Sequence, residues 1–244
     1  VKIKIINPNT TLEMTRGIEA AGRLAARPGT EILAVSPESG PASIESYYDE
    51  YLCIPGVLDE VRKGEQEGAD AYVIACYGDP GLQAAREVTE APVVGIAEAS
   101  LYMASMLAAR FSIVTVLPRI RTMLEEMVDG YGMTRRVVSI RTTPLCVLDI
   151  EEDPEHSWQM VRDDARRAVE EDDAEAVLLG CAGMADFANS LEEELGVPVI
   201  DGVVAAVKFA EGIVDLGKKT SKLKTYKPPE KKGFTGAMKG FGTA

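Results

Sequence analysis

Ala69-Asp70-Ala71-Tyr72-Val73-Ile74-Ala75-Cys76-Tyr77-Gly78 is written a second time in this chain, as Ala174-Glu175-Ala176-Val177-Leu178-Leu179-Gly180-Cys181-Ala182-Gly183. Each copy runs small residue, acid, Ala, apolar run, Cys-x-Gly. The two cysteines and the two glycines keep one separation (181 − 76 = 183 − 78 = 105). A further matched pair follows, Ala91-Pro92-Val93-Val94-Gly95 and Gly196-Val197-Pro198-Val199-Ile200-Asp201. One long period means two similar supersecondary units, because a solenoid needs three or more stacked copies. Two related halves, each ending a buried strand in Cys-x-Gly, would bring two thiols to one shared cleft.

Around these copies the pattern alternates strand and helix. Ile3-Lys4-Ile5-Ile6 reads as a strand that turns at Asn7-Pro8-Asn9-Thr10-Thr11 into a helix reaching Ala26. Glu31–Val35 is a second strand, 36–54 a long connection, and Val57–Glu67 a helix. The first copy gives strand 71–76, a helix over 81–90 opened by Pro80 with Asp79 as its cap, and strand 93–96. Ala99–Ala109 carries no charge, so that helix is expected to be buried or covered by another subunit. Phe111–Val116 and Val137–Ile140 read as strands, and a helix starts at Pro118 and runs to about Tyr131. Asp153-Pro154-Glu155 starts another helix; strand 197–200 and a helix from Val203 to Leu216 close the second unit. Strands apolar on both faces, alternating with helices, indicate parallel α/β layers, whose ligands sit beyond the carboxyl ends of the strands. Asn9, Cys76, Thr115 and Cys181 all fall at such ends.

The 244 residues suffice for one large domain or two small ones, with 46% hydrophobic and 27% charged residues as in soluble globular proteins. A net charge of −13 argues against nucleic acid or an anionic membrane as partner. Residues 218–244 hold eight of the 26 basic residues and one of the 39 acidic ones, so a basic, irregular tail is expected along this acidic body or a neighbour's. A homo-oligomer is expected. Four cysteines without Cys-x-x-Cys spacing argue against a disulfide framework or a zinc site, and no metal ligands are assigned. The chain opens on a strand and has no apolar run of spanning length, so a cytoplasmic location with reduced thiols is expected.

A thiol just past a strand and just before a helix receives the positive end of that helix, which favours thiolate. The glycine two residues on lets backbone approach a ligand. Two thiols facing each other, one protonated and one not, can take a proton from one face of a carbon and return one to the other. That is racemisation without a cofactor. The ordinary thiol pKa of about 8.5 suits it. An enolate oxygen would also need fixed donors, for which the N–H groups of 77–79 and 182–184 are available. The plain alternative for a strand-end cysteine is a small core hydrophobe; duplication argues against it for Cys76 and Cys181, and it stands for Cys53 and Cys146. Asn9 and Asp79 have plain readings as helix caps, and His156, in a polar first helical turn, is not assigned a catalytic role.

Ile6-Asn7-Pro8-Asn9-Thr10, Ala75–Gly81, Val94–Ala99, Gly180–Met184, Pro198–Gly202 and Tyr226-Lys227-Pro228-Pro229 occur in order along the chain. Together they resemble the hydantoin and allantoin racemases of the aspartate/glutamate racemase superfamily. The resemblance implies two pseudo-symmetric, Rossmann-like α/β domains with parallel central sheets and a cleft between them. One would be 1–97 plus 205–244, the other 98–204. It implies inversion at C5 of 5-substituted hydantoins without a cofactor, with Cys76 and Cys181 as the two bases. Asn9, Ser43, Ile44, Tyr77, Gly78, Asp79, Thr115, Gly183 and Met184 would bind the small-molecule hydantoin. Glu45-Ser46-Tyr47-Tyr48-Asp49 departs from the family pattern, which carries Gly-His there, and leaves that loop's part in substrate preference open.

Allantoin racemase is the nearest rival reading. A maleate isomerase would call for cations beside the thiols, and none flanks either one. Arylmalonate decarboxylases keep one such cysteine, not two. A non-catalytic cytoplasmic protein that binds a small heterocycle is the rival of another class.

Overall fold

A computed structural model describes residues 1–242. The first half holds β1 (Lys2–Ile6), α1 (Leu12–Ala25), β2 (Glu31–Val35), α2 (Tyr47–Glu67), β3 (Ala71–Ile74), α3 (Leu82–Val88), β4 (Val93–Gly95) and α4 (Ile96–Leu107). The second holds β5 (Phe111–Val116), α5 (Arg121–Gly130), β6 (Val137–Thr143), α6 (Asp149–Glu152), α7 (Pro154–Glu170), β7 (Val177–Leu179), α8 (Ala188–Leu195), β8 (Val199–Asp201) and α9 (Gly202–Asp215). All strand pairings are parallel, in the orders β2-β1-β3-β4 and β6-β5-β7-β8. The two sheets are therefore the same sheet twice, with the duplicated Cys-x-Gly following the same strand in each. Every residue of β3 and β5 is buried, as parallel strands covered on both faces require.

The halves exchange their closing helices. α4 follows β4 but packs against β7 and β8, whereas α9 follows β8 and packs against α1, β3 and β4. The two helices also pack on each other, and a Cβ at Gly202 would lie 2.7 Å from the Ile96 carbonyl oxygen, so the two N-termini meet where only glycine fits. One apolar core runs through both sheets, from Ile3 and Ile5 to Phe111, Ile113 and Val207. A smaller one, with Val57, Val61, Tyr72 and Leu82, lies under α2 and α3.

The two helices are capped from different places. In the second half Asp201 itself accepts from the Val204 N–H at 2.8 Å. In the first half the equivalent position is Gly95, and the carboxylate arrives from the loop after Cys76: Asp79 accepts from the N–H groups of Ala97 at 3.1 Å and Glu98 at 2.8 Å. Asp79 therefore caps α4 and not, as the sequence pattern suggests, its own helix. α3 starts only at Leu82, after Gly81 at φ 74°.

The connection expected over 36–54 ends at residue 46. Ser46 caps α2 by accepting from the Asp49 N–H at 3.3 Å, and the Asp49 carboxylate returns to Ser46 Oγ at 2.8 Å. Pro55-Gly56 lies inside this helix, and Gly56 leaves room for Pro37, which a Cβ would approach to 2.7 Å. The basic tail lies along its own first half: Lys222 donates to the Arg86 and Glu87 carbonyls that end α3, and Arg62 stacks on Phe241. No helix among the described residues is long and apolar enough to cross a membrane.

Candidate active site

The carboxyl ends of both sheets open on one cleft of about 610 Å³, lined by Cys76 and Cys181 together. Both thiols are half-buried. Asn9, Ile44, Tyr77, Gly78, Asp79 and Thr115 line it too, as the resemblance implies. Ser43, Gly183 and Met184 do not line it. Ser43 lies in the loop tied down at Pro41 and Ala42 by Thr10 and Thr11. Met184 is sealed in the core, and Gly183 lines a separate smaller cavity behind the Cys181 loop, 3.8 Å from the Cys181 sulfur measured at its absent Cβ.

Each cysteine loop is nailed to the fold by its neighbours. The Asp79 N–H donates to the Cys76 carbonyl at 2.9 Å, while its carboxylate holds α4 and accepts from Tyr131 Oη at 2.7 Å. Tyr77 Oη pairs with Ser100 of α4 at 2.9 Å. In the second half the buried Thr115 hydroxyl donates to the Gly180 carbonyl at 2.7 Å, and a Cβ at Gly180 would come within 2.6 Å of Thr115 Cβ. Thr115 thus spends its hydroxyl on the strand that carries Cys181. Asn9 Oδ1 accepts from the Thr11 N–H at 2.9 Å and from Asn7 at 2.9 Å, so its carbonyl serves the turn before α1. Of the six N–H groups proposed as oxyanion donors, that of Asp79 goes to Cys76 and that of Met184 to the Cys181 carbonyl at 3.1 Å.

Burial pushes the Cys76 thiol well above its ordinary value, and the Gly78 N–H beside the sulfur opposes this only in part. The expectation of a helix-stabilised thiolate fails for Cys76, because α3 begins six residues away and desolvation outweighs it. Cys53, fully buried in α2, is pushed up to about 12. Burial also raises the Asp79 carboxyl to about 7 against the pull of Tyr131, Glu98 and Ala97.

The Asp79 value lies above that of an unfolded aspartate. Its contribution to stability is therefore complete below about pH 4 and is lost as pH rises through about 7. Tyr131→Phe removes a donor that holds the carboxyl down, so the loss extends to higher pH. We expect the variant to be less stable than wild type by about 1 kcal/mol at pH 5.5 and about 2 kcal/mol at pH 8.5. Urea unfolding at the two pH values checks this, and equal deficits would rule out an ionised Asp79 as the partner.

The remaining walls were not read from the sequence. α5 presents Met123, Leu124, Met127 and Tyr131, and the start of α2 presents Tyr47, Glu50 and Tyr51. Tyr47 Oη donates to Glu126 of α5 at 2.7 Å, joining the two walls. No Lys, Arg or His lines the cleft among the described residues.

Residues 3–210 match the family model described as Asp/Glu/Hydantoin racemase. The chain is 73% identical to a hydantoin racemase of Pseudomonas sp. (strain NS671), over 99% of this chain and 97% of that one. It is 46% identical to a hydantoin racemase of Paenarthrobacter aurescens, over 96% of this chain and 100% of the other. Its fold superposes on the structure of an allantoin racemase from Klebsiella pneumoniae with a TM-score of 0.97, at 47% identity and covering 99% of both chains.

Proposed function

This chain belongs to the Asp/Glu/hydantoin racemase family, and on that premise we propose that it inverts C5 of 5-monosubstituted hydantoins by a two-thiol proton transfer. The observation that carries the reading is that two cysteines from duplicated halves line one cleft that offers no cationic side chain among the described residues. A neutral flat ring fits such a cleft; a dicarboxylate would enter it uncompensated.

In this reading the ring lies between the sulfurs with C5 facing both. In the resting cleft one sulfur carries a proton and the other does not; the thiolate takes a proton from one face of C5 while the thiol gives one to the other, and the roles reverse for the other enantiomer. A carbon acid beside a carbonyl is far weaker than a thiol, so the enolate oxygen must be held by fixed donors, each of which typically contributes about 3 kcal/mol. The N–H groups of Tyr77 and Ala182 are the ones for that task, since both residues line the cleft and the N–H groups of Asp79 and Met184 already serve the cysteine carbonyls. The reaction so drawn consumes no cofactor.

The test is optical-rotation decay of enantiopure 5-benzylhydantoin, with and without iodoacetamide. Racemisation that stops on alkylation, and is protected by substrate, is the expected result; a constant rotation with active folded protein sinks the reading. The likeness to an allantoin racemase supports a second substrate, which carries a ureido group on the same ring. Parallel polarimetry on enantiopure allantoin separates the two by their kcat/KM.

A further inference from the structure

Among the described residues the cleft holds three carboxylates, and two of them are occupied. Asp79 receives Ala97, Glu98 and Tyr131, and Glu126 receives Tyr47. The third, Glu50 of α2, is half-buried, and its carboxylate takes part in no hydrogen bond or ion pair among the described residues. It lies against the Cys76 loop: a Cβ on Gly78 would be 3.6 Å from Glu50 Oε1 and 3.9 Å from Oε2. Desolvation and the nearby Glu126 push its carboxyl up, so an ionised Glu50 lacks the partners that its place in the cleft demands. A hydantoin ring supplies what is missing, because it carries two amide N–H donors and no negative charge.

Building on the hydantoin reading above, we propose that Glu50 is the substrate-specificity residue of the cleft, and that its carboxylate accepts a ring N–H of the bound hydantoin. The contact holds the ring beside the Cys76 loop, against which Glu50 lies. It selects for ligands with an amide N–H beside the reacting carbon and against carboxylate ligands, which Glu50 repels. As C5 loses its proton the ring gains negative charge and its N–H becomes a poorer donor. The contact therefore does not strengthen on the way to the transition state, so its removal raises KM without lowering kcat.

The experiment compares wild type, Glu50→Ala and Glu50→Gln by polarimetry on 5-benzylhydantoin, with N1-methyl- and N3-methyl-5-benzylhydantoin as competitive ligands. Glu50→Ala is expected to raise KM at least about tenfold, the worth of a hydrogen bond to a charged group, with kcat within about threefold of wild type. Glu50→Gln, which retains one acceptor oxygen, should recover most of that KM. Methylating the contacted nitrogen should weaken binding to wild type about as much as Glu50→Ala does and cost the variant little more, since the two changes remove one contact. An unchanged KM in Glu50→Ala overturns the assignment. So does an equal loss in Glu50→Ala for all three compounds, or a variant that loses kcat alone. Should wild type fail to racemise 5-benzylhydantoin, the hydantoin reading itself falls; with wild type active, a null result at Glu50 removes the Glu50 contact only.

Discussion

Replacing either Cys76 or Cys181 by serine is expected to lower racemisation by at least about 10³-fold, within the range that a positioned acid or base contributes. A serine hydroxyl keeps the hydrogen-bonding reach of the thiol but loses its acidity, so under the proposed mechanism each variant lacks one of the two proton carriers. Each keeps the other. In deuterated solvent Cys76→Ser should therefore exchange the C5 hydrogen of one enantiomer and Cys181→Ser that of its mirror image, without net inversion. Cys53→Ser and Cys146→Ser serve as controls. Cys53 is buried in α2 and Cys146 exposed, neither lines the cleft, and their variants should racemise at wild-type kcat. A pair of cleft variants that both racemise normally would end the two-thiol mechanism, whatever the substrate.

The second large effect is expected at a residue that does not itself line the cleft. A Cβ at Gly95 would fall deep inside van der Waals contact with the Asp79 carboxyl group. Gly95→Ala must therefore expel the side chain that caps α4, anchors Tyr131 and fixes the turn carrying Cys76. Overpacking costs about 1–3 kcal/mol and loss of a cap about 0.5–2 kcal/mol. Taking about 3 kcal/mol for the two together, at about 2–4 °C per kcal/mol for a chain of this size a fall in Tm of about 6–12 °C follows, together with loss of most activity. Differential scanning calorimetry and polarimetry read both. The second half shows the remedy: Gly95 and Asp201 open their helices with nearly the same backbone, φ −84° ψ 146° against φ −82° ψ 132°. Asp79→Gly combined with Gly95→Asp moves the cap to the local position and should regain most of the lost Tm. If Gly95→Ala melts like wild type, Asp79 does not occupy the place described for it.

The duplicated Cys-x-Gly was legible because it repeats in sequence what the fold repeats in space: two sheets of one strand order, with a thiol after the same strand of each. Helix starts were harder to read where glycine or proline serves packing. Pro55-Gly56 looks like a boundary, yet Gly56 is there to admit Pro37, and α2 runs ten residues earlier than the pattern suggests. Asp79 looks like a local cap because Pro80 follows it, but its carboxylate reaches α4 across 18 residues of chain. The walls of the cleft were the least legible part. α5 carries an apolar stripe that any amphipathic helix would show, and only the packing of one half on the other decides that Met123, Met127 and the following Tyr131 line the cleft with the thiols. Glu50 stood in a stretch read as connection, where a lone acid gives no signal.

The crossing of α4 and α9 bears on how such a molecule arose and on how it holds together. A half-length chain ending after α4 would leave one face of its own sheet covered by α1 alone and carry a helix without the β7 and β8 partners it packs on here. Two copies of that ancestor, each lending its last helix to the other, would form a swapped dimer with two identical catalytic loops across a twofold axis. Fusing the copies end to end then preserves the exchange within one polypeptide. The halves of the present enzyme are in consequence tied by mutual loan, and neither can be cut away and expected to fold alone.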